Sequence, residues 1–151
     1  MKKLKERFGY YFEFKNTING TDYFMRGLAG VLFIIPMAIF IGIGVALLET
    51  SMVVAGFLFL LGSLFFIPLI WFSLATTYKR INAFFPKKAG WLTALTFTLS
   101  IIVEALNPVG PDAAVDLTFS LVYIVLGLIS LIWSFYLLFG NSPTAKNKHI
   151  G

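Results

Sequence analysis

The chain has 151 residues, 58% of them hydrophobic and 13% charged, and a formal net charge of +5; its mean hydropathy is +0.86. A soluble domain of this size has too little interior to bury so much apolar side chain, which excludes the ordinary soluble classes. There is no cysteine, which excludes disulfide frameworks, thiolate metal sites, iron–sulfur clusters and cysteine nucleophiles together.

Taken from the N-terminus, residues 8–24 place Phe8, Tyr10, Tyr11, Phe12, Phe14, Tyr23 and Phe24 among polar and basic neighbours. That composition suits the membrane interface ahead of a first span. Asn19 or Thr21 is positioned to cap a helix, and Asp22 in its first turn favours the positive helix end. Asn19-Gly20-Thr21 also matches a glycosylation sequon, which is a chance match if the segment is cytoplasmic.

Four apolar runs follow, at about 28–48, 52–75, 91–106 and 117–139. A hydrocarbon core of roughly 30 Å takes about 20 helical residues. The first, second and fourth runs meet that length, while the third rises only about 24 Å and reads either as a span or as a re-entrant segment. The first run is too long for the core of a cleaved leader and no small-residue cleavage pattern follows it, so it is expected to stay as an anchor. The expected organisation is an aromatic and basic segment over 1–27, a four-helix membrane domain over 28–139 and a tail over 140–151.

Charge placement sets the direction, because cytoplasmic flanks hold the excess of Lys and Arg. The twelve bases fall in three places. Lys2, Lys3, Lys5, Arg7, Lys15 and Arg26 precede the first run, Lys79, Arg80, Lys87 and Lys88 separate the second from the third, and Lys146 and Lys148 lie in the tail. The other two connections hold Glu49, Asp112 and Asp116 and no base. The fold class expected is therefore all-α and polytopic, with four transmembrane helices and both termini cytoplasmic. Trp71, Tyr78, Trp91, Trp133 and Tyr136 then all belong to the cytoplasmic half, where Trp and Tyr favour the headgroup level.

Within the membrane, Ala38, Gly42 and Ala46 form a small-residue row that suits close helix approach, within the monomer or in a dimer. The fourth run carries Asp116, Ser120, Tyr123, Gly127, Ser130 and Ser134 on one seam, and the third carries Thr93, Thr96, Ser100 and Glu104 on one face. These two faces are expected to meet. Their hydroxyls serve either as structural hydrogen bonds or as a polar passage. Glu104 is the one ionisable residue inside an apolar run, and charge in hydrocarbon marks a candidate functional position. Pro36 and Pro68 fall inside spans, where each frees a carbonyl and favours a kink.

The pattern for catalysis is missing. His149 has no second histidine or carboxylate at ligand spacing, and no phosphate loop, nucleophile elbow or HExxH pattern occurs. No catalytic, cofactor-binding or metal-ligating residue is assigned, and the chain is read as non-enzymatic. The basic residues flank apolar runs instead of forming a groove with stacking aromatics, so no nucleic-acid partner is expected.

Three stretches resemble one family. Phe14 to Phe24, FKNTINGTDYF, is similar in Phe14, Asp22, Tyr23 and Phe24 to the aromatic, basic and acidic lead-in of the domain of unknown function 805 family. Lys79-Arg80-Ile81-Asn82 with Ala89-Gly90-Trp91 resembles its second loop, and Asn147 with Gly151 its ending. Asn16, Thr17 and Gly20 replace Gly, Arg and Arg of that pattern, and Asn82 and Ala83 replace its His and Asp. The resemblance implies the same fold and a bacterial inner membrane, it brings no activity, and it adds Arg80, Asn82 and Trp91 to Glu104 as candidate positions.

The function expected is that of an integral membrane protein acting through protein or lipid contacts at its cytoplasmic face, with anionic headgroups, a second copy or another membrane protein as partner. The alternative is a small oligomeric transporter or channel built on the polar face of the third and fourth helices.

Overall fold

The computed structural model describes residues 10–14, 16–106 and 117–142, with side chains from 121 onward in the last stretch. The acidic connection with Asp112 and Asp116, the Ser120 side chain, the tail with Lys146, Asn147, Lys148, His149 and Gly151, and Lys2, Lys3, Lys5, Arg7, Phe8 and Lys15 ahead of α1 lie outside the described residues. All regular structure among the described residues is helical: α1 is Gly20–Ala46, α2 Met52–Leu64, α3 Phe66–Phe84, α4 Ala89–Ala105 and α5 Leu117–Phe139, with a 3₁₀ turn at Pro86–Lys88.

Asn19 caps α1, its side chain accepting a hydrogen bond from the Asp22 amide at 2.7 Å. The helix therefore starts well before the apolar run at 28, and the tail end of the aromatic segment forms its first turns. Pro36 sits inside α1 without ending it. Ser51 caps α2 in the same way, accepting from the Val54 amide. The break at Phe65 between α2 and α3 coincides with Pro68, which lacks the amide that would continue the ladder to Leu64. Phe65 closes back on Gly62 at 3.2 Å, and Pro68 falls in the first turn of α3, where its missing amide is harmless.

Sequence hydropathy ends the second run at 75, but α3 continues to Phe84. Its last two turns are held by packing: Ile81 and Ala83 are buried there. Among the described residues, three helical segments are long and apolar enough to cross a membrane, Gly20–Ala46, Met52–Phe84 taken through the break, and Leu121–Phe139. The chain thus has the character of a multi-pass membrane protein.

α1 packs against α2, α3 and α5; α3 also packs against α4, and α4 against α5, so α1, α3, α4 and α5 close a ring. Large apolar residues point outward along its length, among them Met52 at 80% and Val53 at 84% exposure, as hydrocarbon solvent allows. Most of the interior lies at one end, where Ile81, Ala89 and Leu137 cluster with Tyr23, Tyr78, Phe84, Leu92 and Trp133.

The Ala38, Gly42 and Ala46 row faces outward, and a Cβ at Gly42 would meet nothing within 4 Å. Close approach occurs one step away. A Cβ at Gly44 would come within 2.8 Å of Phe59, and one at Gly62 within 3.0 Å of Ile41.

Candidate functional site

The aromatic stretch ahead of α1 lies across α3 as a strap. Trp71 Nε1 donates to the Phe12 carbonyl at 3.1 Å, Lys79 Nζ donates to the Tyr10 carbonyl, Asn82 Nδ2 donates to the Asn16 carbonyl at 3.4 Å, and Arg80 Nη1 donates to the Ile18 carbonyl at 3.1 Å. The strap opens on a helical turn at 10–12 and its described residues run on without regular structure to Asn19, so its carbonyls lack a continuing ladder, and these four donors supply partners for them. Asn16 turns the strap with φ of 69°, the left-handed region that Asn tolerates better than most residues. Rings fill the remaining contact. Phe14 meets Trp71 and Tyr78 edge-on, with centroids 5.2 and 5.4 Å apart, and Tyr11 and Phe12 lie against Phe72.

Arg80 is the centre of this end. It is 1% exposed and uses three nitrogens on three carbonyls: Nε on Leu137 at 2.5 Å, Nη1 on Ile18 at 3.1 Å and Nη2 on Gly140 at 2.6 Å. The last carbonyls of a helix have no partner within it, and the end of the helix dipole is negative. A guanidinium with donors fanned in one plane answers both needs at the end of α5 while also holding the strap. Its charged carbon lies 4.5 Å from the centre of the Phe84 ring. Arg80 thus joins the strap, α3 and the end of α5 as an internal clamp and is not offered to a headgroup or partner.

The other sequence candidates are dispersed. Asn82 helps to hold the strap. Trp91 opens α4 at 68% exposure, on the outer surface. Glu104 is exposed near the far end of α4, remote in sequence and in helix height from the clamp. The structure therefore brings Arg80 and Asn82 together at the strap and leaves Trp91 and Glu104 apart.

Among the described residues the polar faces of α4 and α5 show a cross-helix hydrogen bond from Trp133 Nε1 to Thr96 Oγ1 at 2.9 Å. The hydroxyls of Thr93, Thr96, Ser100 and Ser134 each donate to the carbonyl one turn back in their own helix, at 2.7 to 3.0 Å. The donor that crosses is an indole beside the seam, not a member of it.

Sequence reasoning missed Lys79, Trp71 and Arg26 as site residues. Lys79 is fully buried and Arg26 is 6% exposed. Arg26 stacks on Tyr10 and Tyr11, its charged carbon 5.0 and 4.8 Å from their centroids, and Lys79 lies 4.3 Å from the centre of the same Tyr10 ring. The available signal was the spacing Phe72, Thr76, Lys79 and Ala83, which continues one helix face through the basic loop.

Comparison with protein-family models, with curated proteins and with solved structures gives no match to this chain.

Proposed function

We propose that this is a four-span inner-membrane protein with both termini in the cytoplasm, non-enzymatic, acting through lipid or protein contacts at its cytoplasmic face. The observation that carries the reading is the distribution of polar groups. On α4 and α5 the hydroxyls of Thr93, Thr96, Ser100 and Ser134 are each occupied by their own helix turn, which favours a structural role for them over a polar passage. Cations and aromatics gather at one end, around the strap and Arg80.

Placing that end in the cytoplasm agrees with the basic flanks. In this arrangement α4, whose 17 residues rise about 25 Å, crosses as the short third span, with Trp91 at the inner boundary and Glu104 at the outer rim. The family assignment stays a proposal on the three sequence stretches that resemble the domain of unknown function 805 family.

The test uses the natural lack of cysteine. Glu104→Cys and Asn141→Cys, made singly, are exposed to a membrane-impermeant maleimide in intact cells and in inverted vesicles. Labelling of 104 from outside alone and of 141 from inside alone is the expected result. Labelling of 104 from both sides would reveal a water-filled path and replace the contact reading with transport.

A further inference from the structure

A groove of about 440 Å³ opens between α1, α3 and the end of α5, with Arg26, Ser73, Thr76 and Thr77 among its polar lining and Leu28 and Leu138 among its apolar lining. Two of its polar side chains have atoms that are fully buried and have no hydrogen-bond partner among the described residues: Arg26 Nη1 and Thr76 Oγ1. Both residues are more than nine-tenths buried, at 6% and 4% exposure. A buried guanidinium nitrogen without an acceptor is costly, and this one stands close to a second buried cation, because Arg26 and Lys79 flank the same Tyr10 ring. Two like charges held against one aromatic ring, with a guanidinium donor left over, are the electrostatic complement of an oxyanion.

The groove's position says which oxyanion. Arg26 lies just ahead of the apolar run of α1, and Thr76 and Thr77 just past that of α3, the height at which Trp71 and Tyr78 mark the headgroup layer. Phe24 and Leu28, also on its wall, are 51% and 53% exposed, so its mouth is apolar where acyl chains would leave. The strap reaches the groove's cation through the stacking of Tyr10 and Tyr11 on Arg26.

We propose that this groove binds the phosphate of an anionic phospholipid, with Arg26 as the cation, Thr76 as a hydroxyl donor, and the chains running out past Phe24 and Leu28. Basic pockets between helices at the inner face are a recurrent form of lipid recognition. Because the Arg26 side chain already lines the groove, turning its terminal nitrogen toward the phosphate replaces a sealed donor with a charge-assisted hydrogen bond. The proposal deepens the contact reading above and rests on it.

The experiment is native mass spectrometry of the full chain released from detergent, with phosphatidylglycerol, phosphatidylcholine and inorganic phosphate as probes. Phosphatidylglycerol is expected to be retained roughly tenfold better than phosphatidylcholine, and Arg26→Gln to lose that preference. Thr76→Val should weaken retention by a few-fold, which keeps the test open if Arg26→Gln does not fold. Lys88→Gln, at an exposed position, should change nothing.

Equal retention of the two lipids, or full retention by both groove variants, would overturn the site. Displacement of phosphatidylglycerol by millimolar inorganic phosphate would make the ligand a soluble phosphate and overturn its assignment to lipid. Retention in detergent does not depend on orientation in the cell. Retained lipid together with labelling of position 104 from both sides would therefore remove the contact reading alone, and correct labelling without lipid preference would remove the site alone.

Discussion

The two ends of this bundle are held by different physics. At the end nearest Glu49 and Glu104, helices meet through missing side chains: Gly44 admits the Phe59 ring, Gly62 admits Ile41, and Ala55 is fully buried between α1 and α2. At the other end, Trp71, Lys79, Arg80 and Asn82 extend donors to backbone carbonyls of the strap, and Arg80 also reaches the end of α5. The contrast teaches what each region has to solve. Inside the hydrocarbon every helix has already satisfied its own backbone, and close contact is what remains to be gained. Where the chain leaves the helix, carbonyls need partners, and long cationic side chains on α3, which extends past its apolar run, provide them.

The sharpest way to break the comparison is at Arg80. Arg80→Leu leaves the carbonyls of Ile18, Leu137 and Gly140 without their donor, and is expected to destabilise the protein by about 3–5 kcal/mol, read as a fall in thermal midpoint in detergent. Arg80→Lys should recover only part of the loss, because a single ammonium cannot reach three acceptors in one plane.

Gly20 probes the same end through sterics alone. A Cβ there would run into the Leu138 carbonyl oxygen, with Arg80 Nη2 at 3.3 Å. Gly20→Ala is expected to destabilise by about 1–3 kcal/mol by the same measurement. Against it, a pair of substitutions sharpens the account of the apolar end. Gly44→Ala forces the Phe59 ring to move and should lose about 1 kcal/mol. Gly42→Ala, on the outer face two residues earlier, should be neutral or stabilising by up to about 1 kcal/mol, because alanine favours the helix and meets nothing. Equal effects at 42 and 44 would contradict the assignment of the packed face.

Much of the apolar architecture was legible in the sequence, and for a clear reason. Solvent polarity acts on every residue of a span, so hydropathy alone places the fourth run at 117–139, where α5 is Leu117–Phe139. Local chemistry was legible in part: residue type offered Asn19 or Thr21 as the cap with Asp22 in the first turn, and the helix takes Asn19. What hydropathy could not see is a helix that carries on after its apolar residues stop. Lys79 and Arg80 look like loop cations in sequence, yet both are buried, because tertiary acceptors from Tyr10, Ile18, Leu137 and Gly140 surround them. Those acceptors are backbone carbonyls, which leave no trace in residue type. The small-residue row at 38, 42 and 46 does not pack within the bundle, since spacing identifies a face but not which face its neighbours choose.

The central claim is that one arginine ties both the strap and the end of α5 to α3. Hydrogen–deuterium exchange on the full chain in detergent, comparing the natural protein with Arg80→Gln, tests it most directly. The account predicts that amides across 10–20 and 134–141 are both protected in the natural protein and that the single substitution releases both together, while α2 keeps its protection. Release of only one of the two segments, or of neither, would contradict the clamp.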